Sequence, residues 1–202
     1  MNEKGILLIV SGPSGSGKGT VIGELRKMRE NLGFSVSATT RAPRAGEEDG
    51  VNYYFLSRDD FEDMLAQGEI LEHNVYNGNY YGTLRSEVER VLSVGHDLIL
   101  EIDINGQRQI KKLFPDCVSV MILPPSMEEL SRRLHSRATE SEEVIAARLS
   151  VAAEEIAQAD KYDYILINET GKIEECAARM NAILDTEQYR YCRMAETVKK
   201  NF

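Results

Sequence analysis

Ile6-Leu7-Leu8-Ile9-Val10 runs straight into Ser11-Gly12-Pro13-Ser14-Gly15-Ser16-Gly17-Lys18-Gly19-Thr20, and this stretch decides the fold. The apolar run is continuous and β-branched-rich, the texture of a strand buried on both faces. The glycines then let the backbone curl so that successive N–H groups point at anionic oxygens. Val21, Ile22, Leu25 and Met28 follow at helical spacing. The loop therefore opens a helix, whose N-terminus adds partial positive charge. Lys18 adds a full charge where the β- and γ-phosphates of a nucleoside triphosphate would lie. A bland Gly/Ser turn joining strand to helix is the alternative. The joint presence of strand, Gly12-x-x-x-x-Gly17-Lys18 and helix weighs against it. The usual pattern follows the lysine with Ser or Thr, whose hydroxyl reaches Mg²⁺. Here Gly19 takes that place and Thr20 offers a hydroxyl one residue later. Mg²⁺ is therefore expected to be held by the triphosphate oxygens and by water-bridged protein groups.

Outward from the loop, the buried-strand texture returns at Leu98–Ile102, Val118–Leu123 and Tyr164–Ile167. Helical patterns lie between, at Gln107–Leu113, Ser126–Leu134 and Ser141–Ala157, and a last helix is expected to start near Lys172 and run towards the C-terminus. Strand and helix alternating at this spacing predict a parallel sheet flanked by helices. The middle of the chain differs. Phe34–Ala38 alternates and reads as one strand, Tyr53–Leu56 as another, and Ser57-Arg58-Asp59-Asp60 caps a helix carrying Phe61, Met64 and Leu65. Ile70–Thr83 reads as two short strands turned around Asn77-Gly78-Asn79. These half-polar strands predict an insertion with its own small sheet.

The chain has 202 residues and a net charge of -9. An acidic average surface repels a phosphate backbone, so no nucleic-acid partner is expected. No apolar run approaches membrane-spanning length, and Met1-Asn2-Glu3-Lys4 is not a signal peptide, so no membrane partner is expected either. Cys117, Cys176 and Cys192 are scattered and odd in number. That fits reduced thiols in the cytoplasm better than a disulfide frame.

The informative segment is Ser35-Val36-Ser37-Ala38-Thr39-Thr40-Arg41-Ala42-Pro43-Arg44-Ala45-Gly46-Glu47. Joined to Tyr53, Glu72 and Asn77-Gly78-Asn79-Tyr80-Tyr81-Gly82-Thr83, it closely resembles the guanylate kinase family, from the phosphate loop to Asn168. The chemistry of the residues agrees. Arg41 and Arg44 bracket a proline-stiffened turn, a good way to hold two guanidinium forks on one phosphate. The resemblance implies that Arg41, Arg44, Tyr53 and Tyr81 bind the GMP phosphate, and that Ser37, Glu72 and Thr83 read guanine. Guanine offers N1–H and an exocyclic amine as adjacent donors, which a carboxylate accepts as a pair; adenine presents an acceptor there. Without the flanking motif, an exposed arginine pair or a lone glutamate would read as surface. His73 is expected to be structural or exposed, and Tyr80 to pack.

Leu98–Asp103 ends a buried strand in two acids, at the carboxyl end where open α/β sheets place ligands. The resemblance implies that Asp103 reaches towards the guanine amine and that Glu101 organises Mg²⁺ through water; plain solvation of the strand end is the alternative for Glu101. Arg133, Arg137 and Arg148 lie in and around a segment that resembles the family lid, with Ala138 where the family usually has Gly. Arg133 and Arg137 are implied on ATP, with Lys18, Arg41, Arg137 and Arg148 as the catalytic charges. Arg132 is as consistent with a solvated helix. Asn168 resembles the position that contacts adenine.

The expected fold is α/β: a phosphate-loop nucleotide kinase core with a parallel sheet (1–36 and 91–202), an inserted mixed GMP-binding subdomain (37–90) and a short lid (about 126–157). The expected reaction is transfer of the γ-phosphoryl group of ATP to GMP, with Mg²⁺, by a monomer or homo-oligomer. A non-catalytic scaffold relative need not keep the phosphate loop. A kinase for another acceptor should lack the joint presence of Ser37, Glu72, Tyr81 and Thr83.

Overall fold

The computed structural model describes residues 5–136 and 141–201. In chain order the elements are β1 (Leu7–Ser11), α1 (Lys18–Met28), β2 (Leu32–Phe34), β3 (Ser37–Thr39), β4 (Tyr54–Phe55), α2 (Arg58–Ala66), β5 (Ile70–Tyr76), β6 (Asn79–Leu84) and α3 (Arg85–Leu92). There follow β7 (Asp97–Glu101), α4 (Ile104–Leu113), β8 (Val118–Leu123), α5 (Met127–His135), α6 (Glu142–Ile156), β9 (Tyr164–Ile167), α7 (Ile173–Glu187) and α8 (Tyr191–Asn201). A five-stranded sheet has the order β2-β7-β1-β8-β9, and a four-stranded sheet the order β4-β3-β6-β5. The β2/β7 and β8/β9 pairs are parallel. β1 is buried along its whole length and β7 over all but its last residue, as parallel strands covered on both faces require. The predicted α/β class is what the chain adopts.

By compactness the chain forms two units, Met1–Leu8 with Asn31–Cys117 and Ile9–Glu30 with Val118–Phe202. The first holds the small sheet. That sheet is mixed, with β3/β4 parallel and β3/β6 and β5/β6 antiparallel. The β5–β6 turn sits at Asn77 and Gly78, both with positive φ (49° and 78°), the conformation for which Asn-Gly is favoured. Under the sheet, Ala38, Phe61, Ile70 and Leu84 form a small core. Tyr80 stacks on Phe61 at 5.0 Å, so it packs, as expected. Ser57 caps α2 by accepting from the Asp60 amide at 3.0 Å.

In the second unit α1 packs on α7, and α5 on α6 around Leu130, Leu134, Ile145 and Ala152. Ser126 caps α5, and α6 begins beside Ser141, within a residue of where the pattern put them.

Four details differ from expectation. Phe34–Ala38 is not one strand: Phe34 ends β2, in register with Ile99, whereas Ser37 begins β3, opposite Thr83. Alternation suits either sheet, and only the partners decide where the chain changes over. α4 starts at Ile104 rather than Gln107 because Asp103 caps it. α3 was not foreseen; no side chain caps it and only Glu87, Val88 and Val91 are buried, so its sequence carries neither a start signal nor a wide apolar stripe. The last helical run breaks between Glu187 and Tyr191, and α8 buries none of its residues.

Candidate active site

In the second unit the loop after β1 ends at Gly17, which has φ 89° and begins α1 with no side-chain cap. The first-turn N–H groups of α1 are thereby left to an anion. Only glycine fits at position 17. Its φ is left-handed, and a Cβ there would lie 2.4 Å from Asn168 Nδ2. The Lys18 ammonium folds back across the loop, donating to the carbonyls of Gly12 at 2.7 Å and Pro13 at 3.4 Å. Arg148 Nη1 reaches the Ser14 hydroxyl at 3.5 Å. Gly19 and Thr20 are exposed, and a Cβ on Gly19 would meet nothing within 4 Å. Arg133 and Asn168 lie against the loop backbone: both donate to the Ser16 carbonyl, at 3.3 and 2.8 Å. Arg132 forks onto Glu129 at 2.7 Å, largely solvated. Arg137 lies outside the described residues.

In the first unit a cavity of about 270 Å³ opens on one face of the small sheet, lined by Ser37, Tyr53, Glu72, Asn74, Tyr76 and Tyr81 and by the end of β7. Strand register assembles it. Ser37 pairs with Thr83, and Thr83 with Glu72 on its other side, so the three stand abreast across β3, β6 and β5. The next row on that face is Thr39, Tyr81 and Asn74, two residues along each strand. Glu72 is 5% exposed, and its Oε1 accepts from the Thr83 hydroxyl at 2.6 Å. Burial pushes the Glu72 carboxyl up to about 7; the Thr83 hydrogen bond pulls it part of the way back and the neighbouring Asp103 adds to the rise. α4 comes close because residue 106 is glycine: a Cβ there would sit 2.5 Å from Glu72 Oε2. Asp103 Oδ1 accepts from the amides of Asn105 and Gly106, each at 2.9 Å, and its Oδ2 accepts from Asn74 Nδ2. Glu101 is exposed at the end of β7.

Arg41 makes a two-pronged ion pair with Glu47, at 3.0 and 2.9 Å, and its guanidinium lies 5.4 Å from the centre of the Tyr53 ring. Glu47 also accepts from the Arg44 amide at 2.7 Å. One carboxylate thus pins the whole Arg41–Pro43–Arg44 turn, while Arg44 itself is exposed. The Tyr53 phenol is pushed up by burial first and by Tyr81 second, and so stays a donor at neutral pH. His73 sits edge-on to Tyr80, with its backbone amide donating to Gln109.

The fold thus brings Ser37, Tyr53, Glu72, Tyr81, Glu101 and Asp103 to one cavity, and Lys18, Arg133, Arg148 and Asn168 to the loop. Sequence reasoning missed Asn74 and Glu47. Period two from Glu72 along β5 is the signal that would have found Asn74. For Glu47, the signal is the acid closing a turn that carries two arginines.

Loop and sheet together define a phosphate-loop α/β protein of the nucleotide kinase class. The family model described as guanylate kinase matches residues 4–187. A guanylate kinase of Carboxydothermus hydrogenoformans is 50% identical over 188 residues, 93% of this chain and 91% of that protein. One of Desulfitobacterium hafniense is 47% identical over 189 residues, 94% of each. The crystal structure of guanylate kinase from Anaplasma phagocytophilum superposes with a TM-score of 0.78 at 38% identity, covering 99% of this chain and 96% of that one. The chain belongs to the guanylate kinase family.

Proposed function

We propose that this chain transfers the γ-phosphoryl group of ATP to GMP, giving ADP and GDP. The observation that carries the reading is the row Ser37–Thr83–Glu72, with a buried carboxylate at one end of it. An ionised Glu72 accepts the guanine N1–H and amine as a pair, and the Ser37 hydroxyl serves O6, joined by the Thr83 hydroxyl when it turns from Glu72. Arg41, Arg44, Tyr53 and Tyr81 take the GMP phosphate, with Asp103 at the guanine amine. On the donor side the triphosphate lies on residues 12–20, with Arg133, Arg137, Arg148 and Asn168 around it. The acceptor is already a phosphate oxygen anion, so no general base is needed; positioning and charge neutralisation by Lys18, Arg41, Arg137 and Arg148 carry the reaction. The division we infer keeps 37–90 as the acceptor insertion, a reading supported by the sheet of β3 to β6, and about 126–157 as the lid of a core made of 1–36 and 91–202.

Mg²⁺ fits the donor set. The open space about Gly19 and the exposed Thr20 hydroxyl suit an ion that keeps much of its water. Glu101, through water, is the group we assign to it, and its chemistry would be to neutralise charge on the phosphate oxygens. We place the reaction in the cytoplasm, supported by three free cysteines. Among the described residues no helix is long and apolar enough to cross a membrane.

A coupled ADP-release assay across GMP, AMP, UMP and CMP tests the reading. GMP should exceed the others in kcat/KM by roughly 10⁴, the discrimination available to a site built on substrate hydrogen bonds. Comparable turnover of AMP would reject it.

A further inference from the structure

Three consecutive residues of β5 reach α4. Glu72 packs on Gly106, where a Cβ would lie 2.5 Å from its Oε2. The His73 amide donates to Gln109 Oε1 at 3.3 Å, and the His73 carbonyl accepts from Gln109 Nε2 at 3.0 Å. Asn74 donates through Nδ2 to Asp103 Oδ2. Positions 103, 106 and 109 are three apart, neighbours along one side of a helix. β5 is the last strand in the order of the small sheet, so α4 covers an edge that would otherwise stay unpaired.

The third contact bears on the ligand, because Asn74 and Asp103 both line the cavity. The asparagine amide has one orientation: its Oδ1 accepts from the Val75 amide at 2.7 Å, which leaves Nδ2 for the aspartate. Asp103 is therefore held at both oxygens. Oδ1 takes the Asn105 and Gly106 amides of α4, each at 2.9 Å, and Asn74 steers Oδ2. A carboxylate oxygen can accept more than one hydrogen bond, so Oδ2 keeps room for a donor in the cavity. The guanine amine has two hydrogens. Glu72 takes one beside N1–H, and the other is left for Asp103.

We propose that Asn74 is a positioning residue for base selectivity: it holds the Asp103 carboxylate so that Oδ2 faces the second amine hydrogen of guanine, and thereby sets the preference for GMP over inosine monophosphate (IMP), whose base lacks that amine. This rests on reading the sheet cavity as the GMP site.

The coupled ADP-release assay with GMP and IMP in turn tests it. Asn74→Ala leaves β5 held by β6 and by Gln109, so the variant should fold. Its kcat/KM for GMP should fall roughly tenfold, as for one misdirected charge-assisted hydrogen bond, with kcat/KM for IMP unchanged. An equal loss on both nucleotides would mean a merely structural role. That outcome, or any other that leaves the GMP-over-IMP ratio unchanged or raised, overturns the proposal. The same substitution made in Asp103→Asn gives a second arm. Asparagine still caps α4, and with the carboxylate gone Asn74→Ala should leave the ratio where Asp103→Asn put it. A further fall would show Asn74 acting other than through Asp103, and also overturns the proposal. Glu72→Gln, run alongside, tells two failures apart. A GMP loss there with none in Asn74→Ala rejects this proposal alone, whereas no loss in either rejects the acceptor site itself.

Discussion

The loop of residues 12–20 and the cavity on the small sheet, proposed for ATP and GMP, offer their ligands different means of recognition. The loop recognises with backbone, through a curl of glycines and the start of α1, and the side chains against it act largely on its carbonyls. The sheet recognises with side chains standing abreast on three strands, one of them a carboxylate that burial pushes up to about 7. Peptide N–H groups do not titrate in the physiological range and do not read a base. A carboxylate does both, and hydroxyls read a base without titrating. Selectivity and pH sensitivity should therefore reside in the sheet, and charge transfer at the loop.

The largest effect should come from Lys18→Met, which deletes the one full charge within the loop. Turnover should fall on the order of a hundredfold or more, while calorimetric GMP affinity measured without ATP stays at the wild-type value. Should GMP binding collapse as well, the two sites are not separable in this way.

Glu72→Gln tests the other side. It keeps the shape and replaces a charged acceptor by an amide that turns an NH₂ towards a donor. The GMP-over-AMP ratio of kcat/KM should fall roughly tenfold to a hundredfold, the worth of a charge-assisted hydrogen bond. An unchanged ratio in a folded variant would remove Glu72 from base recognition.

A pH series sharpens the same contrast. The Glu72 carboxyl is raised from the ordinary 4.5 to about 7, and only its ionised form accepts from guanine. GMP affinity should thus weaken about tenfold from pH 8 to pH 6 beyond whatever change Glu72→Gln shows over the same range. Between pH 4.5 and 7 the folded state keeps a proton that the unfolded chain has released. Stability therefore falls as pH rises across that window and levels off above it, and this component should be missing from urea titrations of the glutamine variant. Parallel wild-type and variant profiles would place the titrating group elsewhere.

The smallest effect is expected at Gly19→Ser. No atom lies within 4 Å of the added Cβ and the position is exposed, so stability should stay within about 0.5 kcal/mol. Turnover, still dependent on Mg²⁺, should also be close to wild type. A large loss would show that the backbone at Gly19 needs a closer approach to the nucleotide than the open space indicates.

By itself the sequence determined the loop, its strand and helix, the α/β class and the Asn77-Gly78 hairpin. Each is set by local rules: burial texture, glycine's tolerance of positive φ, and helical periodicity. It also pointed to the acceptor residues proposed here, through a resemblance concentrated in one motif. Only the tertiary structure decided where Phe34–Ala38 passes from one sheet to the other, since alternation reads alike in both. It alone placed Glu72 beside Thr83 and Asn74 beside Asp103, and brought Asn168 Nδ2 to a carbonyl 152 residues away in sequence. Such contacts depend on which strand edges meet and on where a missing Cβ lets two segments touch, and no local pattern encodes either.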